Sequence, residues 1–303
     1  MTCSLPNDII DTHVHFWHPD KVFIPWLQGV PQSHQRMDAD QYSKEVKNIR
    51  VCGAIYVEVD ADPYHALVEA DWIAQYARQL KPSKSFGGIQ GIVAHAPIHQ
   101  GRSVTAYLQL LVRLVGDRLR GIRYITQDPA LDPRRMTDTA FIVGTQSLEQ
   151  FGLSLDLVIN SRAAPEQFPP LRELVSQCPR VQFVLDHMAK PPCDSQPGEA
   201  AFERWKSEML TLGQSENVAC KVSGLVTEST KQPSADQLRP FVEVAVQAFG
   251  KDRIMFGGDW PVCESVAKWQ KWVELLSEIV KDWSAEDKHK LFVTNAVRIY
   301  RLR

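Results

Sequence analysis

Two histidines one residue apart, His13 and His15, stand in the run IIDTHVHFW (9–17). Alternate residues of a strand face the same way, so both imidazoles project together from an otherwise apolar segment. Burying them costs stability unless something binds them, and two imidazoles aimed at one point make half a site for a divalent metal. Taken alone, the pair is equally well explained by histidines satisfied through hydrogen bonds within the protein. Two further residues of ligand or base type close later apolar runs: His187 in VLDHMAKP and Asp259 in MFGGDWPV. Asp259 could ligate a metal or take a proton from water.

The elements that must position these residues are short and β-branched. Strand-like runs fall at 9–16, 51–59, 87–94, 119–125, 153–159, 181–187, 218–224 and 253–259. Helical periodicity separates them at 64–80, 103–115, 138–150, 166–177, 199–213, 236–249, 265–280 and 284–300. Eight strands alternating with helices predict an α/β fold, a parallel sheet closed into a TIM-like (β/α)8 barrel, as one domain over 1–303. An open doubly wound sheet binding a nucleotide would show a glycine-rich turn after its first strand; THVHFWHPD has no glycine. In a barrel the C-terminal strand ends share one rim, so His13, His15, His187 and Asp259 are expected to converge there. The irregular stretches 17–38 and 190–200 read as long loops near that rim.

Other residues invite weaker readings. Arg123 and Lys221 sit in the fourth and seventh runs; each could hold a ligand hydroxyl or a developing oxyanion, or form a buried ion pair. Glu58 ends the second run as a ligand, a hydroxyl acceptor or a plain loop charge. Asp11 shares the parity of His13 and could orient it or cap the barrel bottom. Trp17, Trp26 and Trp260 offer aromatic faces for the C–H surface of a ligand, or simply pack. His18, His34, His95 and His99 have no constellation of their own, His95 being the best placed, and Cys263 lacks a histidine at a triad-like position.

Composition excludes several classes. The chain has 303 residues, 44% hydrophobic and 23% charged, with net charge −2. No basic block marks a nucleic-acid or membrane-surface binder. Six scattered cysteines, Cys3, Cys52, Cys178, Cys193, Cys220 and Cys263, suggest free thiols of a reducing compartment. The start MTCSLPNDII lacks the features of a secretory leader, and no apolar run reaches membrane-span length. The expectation is a cytoplasmic protein, with oligomeric state open.

In order along the chain, DTHVHFW, GIRYI, LDHMAKPP, VACKVSGLVTE, FGGDWPVC and TNAVRIYRL resemble the amidohydrolase superfamily, and within it the sugar-lactone hydrolase branch of L-fuconolactonases and L-rhamnono-lactonases. The resemblance implies a distorted barrel and hydrolysis of a lactone by an activated water. It implies that His13 and His15 match the first-strand pair, His187 the sixth-strand histidine, and Asp259 the aspartate that takes a proton from water. Glu228 lies in one of these motifs and otherwise reads as a solvated loop acid. The chain departs from the wider superfamily at the fifth strand, which ends in Asn160 rather than histidine, and at the fourth, which offers Arg123 rather than a bridging lysine. A two-metal site is therefore not expected; one zinc or manganese ion, or a metal-free site, fits the remaining residues. Arg123, Lys221, Trp26, Glu58, Glu228 and Trp260 are the expected substrate contacts, with a small sugar lactone as partner. Two alternatives stay open: a metal-dependent decarboxylase of an aromatic or heterocyclic acid on the same barrel, and a non-catalytic barrel that binds a sugar acid or a protein.

Overall fold

The eight apolar runs become eight parallel strands in sequential order: β1 (Asp8–Val14), β2 (Arg50–Val57), β3 (Ile89–His95), β4 (Leu119–Ile125), β5 (Ser154–Val158), β6 (Phe183–Leu185), β7 (Val218–Val222) and β8 (Ile254–Phe256). The computed structural model describes residues 5–30 and 34–302. Cys3 and the first four residues of the stretch read for a leader lie outside them. Helices cover the outer face, so the strands are buried on both sides, as in β5, where all of SLDLV is buried. The sheet closes on itself. Asp259 N donates to His13 O at 2.7 Å and His15 N to Trp260 O at 2.8 Å, which makes the fold a (β/α)8 barrel.

The helices are α1 (Ala39–Glu45), α2 (Ala66–Gln79), α3 (Val104–Val115), α4 (Thr139–Ser147), α5 (Phe168–Gln177), α6 (Ala200–Leu212), α7 (Ala235–Phe249), α8 (Trp269–Ile279), α9 (Ala285–His289) and α10 (Asn295–Ile299). The helix expected over 284–300 is α9 and α10 joined by a π turn at Lys290–Thr294. Short α1 was not anticipated, although its signal is in the sequence: Asp38 and Gln41 form a reciprocal capping box. Strands β6 and β8 are shorter than expected because the chain leaves the sheet early. Positive φ begins at His187 after β6, and the pair Gly257–Gly258 follows β8.

A small core of Ile55, Val57, Val93, Val184, Ala219 and Met255 is completed by Ile299 and Tyr300 at the end of the chain. Above it, charged residues replace apolar ones, and these position the site. No helix among the described residues is long and apolar enough to cross a membrane.

Candidate functional site

His13 and His15 leave β1 on one face, as their spacing requires, with their Nε2 atoms 3.1 Å apart. The His15 Nδ1 lies 2.8 Å from Val57 O. A carbonyl can only accept, so Nδ1 carries the proton and the Nε2 lone pair points inward. Asp259 Oδ1 stands 3.6 Å from His15 Nε2 and 3.9 Å from His13 Nε2. His187 stacks obliquely on His13, with ring centroids 4.4 Å apart, and its Nδ1 meets Ser223 Oγ at 2.9 Å. Gly224 makes room for that ring: a Cβ there would lie 2.7 Å from His187 Nδ1, and its φ of +68° favours glycine.

Electrostatics set the protonation of these groups. Burial, with help from the Lys221 charge, holds His13 well below the ordinary imidazole value, and burial does the same to His187. Both rings are therefore neutral near pH 7. Burial alone would raise Asp259, but His187 and His15 outweigh it and hold the carboxyl below its usual value. Asp259 is thus an ionised proton acceptor at the floor of the site.

Behind this floor runs a buried ladder of charge. Lys221 Nζ donates to Asp156 Oδ2 at 2.7 Å and lies 2.9 Å from Asp186 Oδ1. Tyr300 Oη donates to Asp156 Oδ2 at 2.5 Å. Arg123 Nε and Nη2 each donate, at 2.5 Å, to Glu58 Oε1 and to Glu58 O. Its Nη1 is 3.8 Å from Asp186. Burial opposes ionisation of Glu58, but the Arg123 charge prevails and its carboxyl sits below the ordinary value. Asp11 accepts from His13 N, Gly258 N, Tyr42 Oη and Trp269 Nε1 at 3.1, 2.7, 2.8 and 2.8 Å. It therefore ties β1 to the segment after β8 through backbone and does not orient the His13 ring. A Cβ at Gly258 would fall 2.3 Å from Asp11 Oδ2.

Over the floor opens a cavity of about 320 Å³ lined by His15, His187, Asp259 and Arg123, by Trp26, Val59, Ile125, Val158 and Val262, and by Asp60, Gln127, Lys190, Thr227 and Glu228. That volume lies at the small end of ligand pockets. Trp26 is fixed by a 2.7 Å bond from Nε1 to Val59 O and by edge contact with Trp17. The Gln127 Oε1 is buried without a hydrogen-bond partner.

The donor set suits one metal ion. Ligand bonds of about 2.0–2.1 Å at tetrahedral angles place donor atoms about 3.4 Å apart. The His13, His15 and Asp259 atoms are 3.1, 3.6 and 3.9 Å apart, so this trio fits one divalent ion. A second trio, His13, Asp186 and His187, fits poorly, because the Lys221 ammonium already lies 2.9 Å from Asp186 and 3.3 Å from His13 Nδ1. Asn160 is occupied in its loop, accepting from Ala163 N, and Arg123 is a fixed cation, so nothing here builds a second metal site.

His13, His15, His187 and Asp259 therefore meet in space, and Arg123, Trp26 and Glu228 reach the cavity wall. Three residues expected to touch substrate do not line it. Lys221 is fully buried between Asp156 and Asp186. Glu58 spends both oxygens within the protein, on Arg123 and on Asp60 N. Trp260 is packed among Phe16 and Tyr42, because the left-handed Asp259, at φ +56°, turns the next side chain outward. Sequence reasoning missed Asp156, Asp186, Lys190, Asp60 and Gln127. For Asp156 a signal existed, a lone charge inside the apolar run LSLDLVI; Lys190 lies in the quoted LDHMAKPP.

Known proteins resemble this chain over nearly its whole length. An L-fucono-1,5-lactonase of Burkholderia multivorans is 32% identical, the match covering 97% of this chain and 96% of that protein. An L-rhamnono-gamma-lactonase of Scheffersomyces stipitis is 23% identical over 97% and 98%. Among solved structures, an amidohydrolase from Burkholderia multivorans with bound zinc superimposes with a TM-score of 0.83 at 24% identity, covering 97% of this chain and 99% of that one; at that identity the likeness speaks for the fold. The amidohydrolase family model matches residues 10–302. This chain belongs to the amidohydrolase family.

Proposed function

We propose that this protein hydrolyses a sugar lactone to the open sugar acid, with Asp259 as the base that takes a proton from the attacking water. The observation that carries the reading is the ionised Asp259 carboxylate set 3.6 Å from the inward Nε2 of His15, at the floor of a small cavity with mixed apolar and polar walls. The lactonase relative at 32% identity over nearly the whole chain supports it. A water between Asp259 and the substrate carbonyl gives its proton to the carboxylate as its oxygen bonds to the carbonyl carbon. When the tetrahedral intermediate collapses, the ring C–O bond breaks and Asp259 returns the proton to the departing ring oxygen. His187 stands beside the base and lines the cavity, where it orients the reacting groups. Trp26 and Val262 suit the C–H faces of a sugar ring; Glu228 and Gln127 suit its hydroxyls.

His13, His15 and Asp259 would hold one divalent ion, zinc or manganese, whose chemistry would be to acidify water and polarise a carbonyl. The zinc-bearing neighbour supports that assignment. A metal-free site is served as well, because the Asp259 carboxyl sits below its usual value without an ion.

The test is proton release from a panel of L-fucono-, L-rhamnono-, L-galactono- and D-galactonolactone, with wild type, Asp259→Asn and chelator-treated enzyme in parallel. At least one lactone should open far above background, and Asp259→Asn should lower the rate by about 10²–10⁴. A panel that stays at background with added zinc or manganese rejects the reading; the chelator arm reports the metal requirement.

A further inference from the structure

We propose that Lys190 is a catalytic residue of this site: its ammonium donates to the lactone carbonyl oxygen as that atom gains negative charge, then holds the carboxylate of the opened product. The proposal rests on the lactonase reading and supplies what that reading lacks, a cation at the cavity wall with donors to spare.

Three cations stand near the reaction centre, and their partners separate them. Lys221 is fully buried, clamped by two carboxylates and screened from the cavity by its position under His13. Arg123 lines the cavity, but Nε and Nη2 are both given to Glu58. Lys190 lines the cavity as well, with its side chain 23% exposed, and its ion-pair partner is Glu228 Oε1 at 3.5 Å. That is longer than a good N–H···O bond, so the ammonium keeps donors for a ligand. Asp259 and His187 line the same cavity, so the ammonium and the base face one space.

The backbone is built to aim it. His187, Met188, Ala189 and Lys190 have φ of 52°, 52°, 62° and 53°, four successive left-handed residues without a glycine. Each costs about 1–2 kcal/mol, and such strain persists only where the surroundings fix it. Here they do. Trp205 Nε1 donates to Met188 O at 3.0 Å, Ser161 N to Ala189 O at 3.0 Å and Ser161 Oγ to Lys190 O at 3.1 Å. One turn therefore delivers both His187 and Lys190 to the same cavity. Behind the ammonium, Glu228 is held by Arg162, which donates from Nη1 to Glu228 O at 3.1 Å.

In the reaction, the carbonyl π pair moves onto oxygen as water attacks, and Lys190 stabilises that oxyanion without giving up its proton. The pair then returns, the ring C–O bond breaks, and the ring oxygen takes the proton held by Asp259. The product acid loses its proton to solvent, and its carboxylate pairs with Lys190.

The experiment compares wild type, Lys190→Met and Lys190→Arg on the best lactone of the panel, with calorimetric titration of the corresponding aldonate and of the uncharged alditol. Methionine and arginine carry the same cost of positive φ as lysine, so melting temperatures should stay close. Loss of one oxyanion donor lowers kcat by about 10²–10³, so Lys190→Met should show that fall with KM little changed, and aldonate affinity should drop at least ~10-fold, the ratio that one lost charge pairing of this class produces. Lys190→Arg should recover most of both. Wild type should bind aldonate far more tightly than alditol, a comparison that needs no variant to fold. A Lys190→Met enzyme with unchanged kcat, or with only KM raised, overturns the proposal and leaves the lactonase reading intact. Equal binding of aldonate and alditol by wild type overturns it too. A wild type that opens no lactone overturns both.

Discussion

Glu69 on α2 offers a stability test whose sign is set by its surroundings. Its Oε1 accepts from Tyr56 Oη at 2.7 Å and from Val59 N at 3.0 Å, which fixes the end of β2 beside the cavity. Its Oε2 is buried without a hydrogen-bond partner. Burial, reinforced by the Glu58 charge, raises the carboxyl from 4.5 to about 8. The fold therefore keeps a proton that the unfolded chain gives up above pH 4.5. The stability this group contributes is fully present below pH 4.5 and is lost as pH rises to about 8. At about 1.4 kcal/mol per pH unit, the loss across that window approaches about 5 kcal/mol. Glu69→Gln removes the titration and keeps an oxygen for Tyr56 and Val59. Its amide then faces the side where Oε2 has no partner, a pH-independent cost of about 1–3 kcal/mol. Urea unfolding of both proteins at pH 5, 6.5 and 8 isolates the effect, because titrating groups remote from Glu69 cancel in the difference. The variant should be the weaker protein at pH 5 and gain on wild type by about 1.4 kcal/mol per pH unit. Parallel stability curves would refute the reasoning.

Two variants probe the supports of the site, alongside the Asp259 and Lys190 substitutions above. Gly224→Ala puts a methyl 2.7 Å from His187 Nδ1 at φ +68°; kcat should fall markedly while stability drops by about 1–2 kcal/mol, and a normal kcat would show that His187 can move freely. Lys221→Met leaves Asp156 and Asp186 buried without their shared cation, which should cost about 3–5 kcal/mol in a urea melt with KM unmoved, since Lys221 does not line the cavity; unchanged stability would contradict the charge ladder.

What the sequence reveals follows from what is local. The period of two in DTHVHF puts His13 and His15 on one face, and alternation of apolar runs with helical ones implies the barrel. The convergence of His187 and Asp259 on that pair follows from topology, because every parallel strand ends at the same rim. Partnership across long separations is not local. Lys221 reads as a candidate ligand group until Asp156 and Asp186 are seen beside it, and Tyr300 reaches Asp156 across 144 positions. Trp260 follows Asp259 in sequence, yet one left-handed residue sends it into the packing around Phe16 and Tyr42. Loop direction, unlike strand parity, has no period to read.

The left-handed residues themselves form a pattern with a physical cause. Beyond the sheet, a parallel strand normally carries its chain outward to the next helix, and side chains there point away from the barrel axis. Bringing a side chain back over the mouth requires an abrupt reversal, which positive φ supplies. Asp60, His187, Lys190 and Asp259 all have positive φ and all line the cavity. Met188 and Ala189 complete the turn between two of them. Among the described residues without glycine's freedom, only Arg301 has positive φ elsewhere. At about 1–2 kcal/mol each, such residues are tolerable only where backbone hydrogen bonds such as Asp259 N to His13 O and Ser161 N to Ala189 O hold them. The strain is therefore concentrated on groups whose direction matters to the site. By the same reasoning Asp60, whose backbone N–H is held by Glu58 Oε2 at 2.8 Å, is turned toward the cavity. Arg123, Glu58 and Asp60 then form one unit, in which a buried ion pair fixes the direction of an acid at the cavity wall.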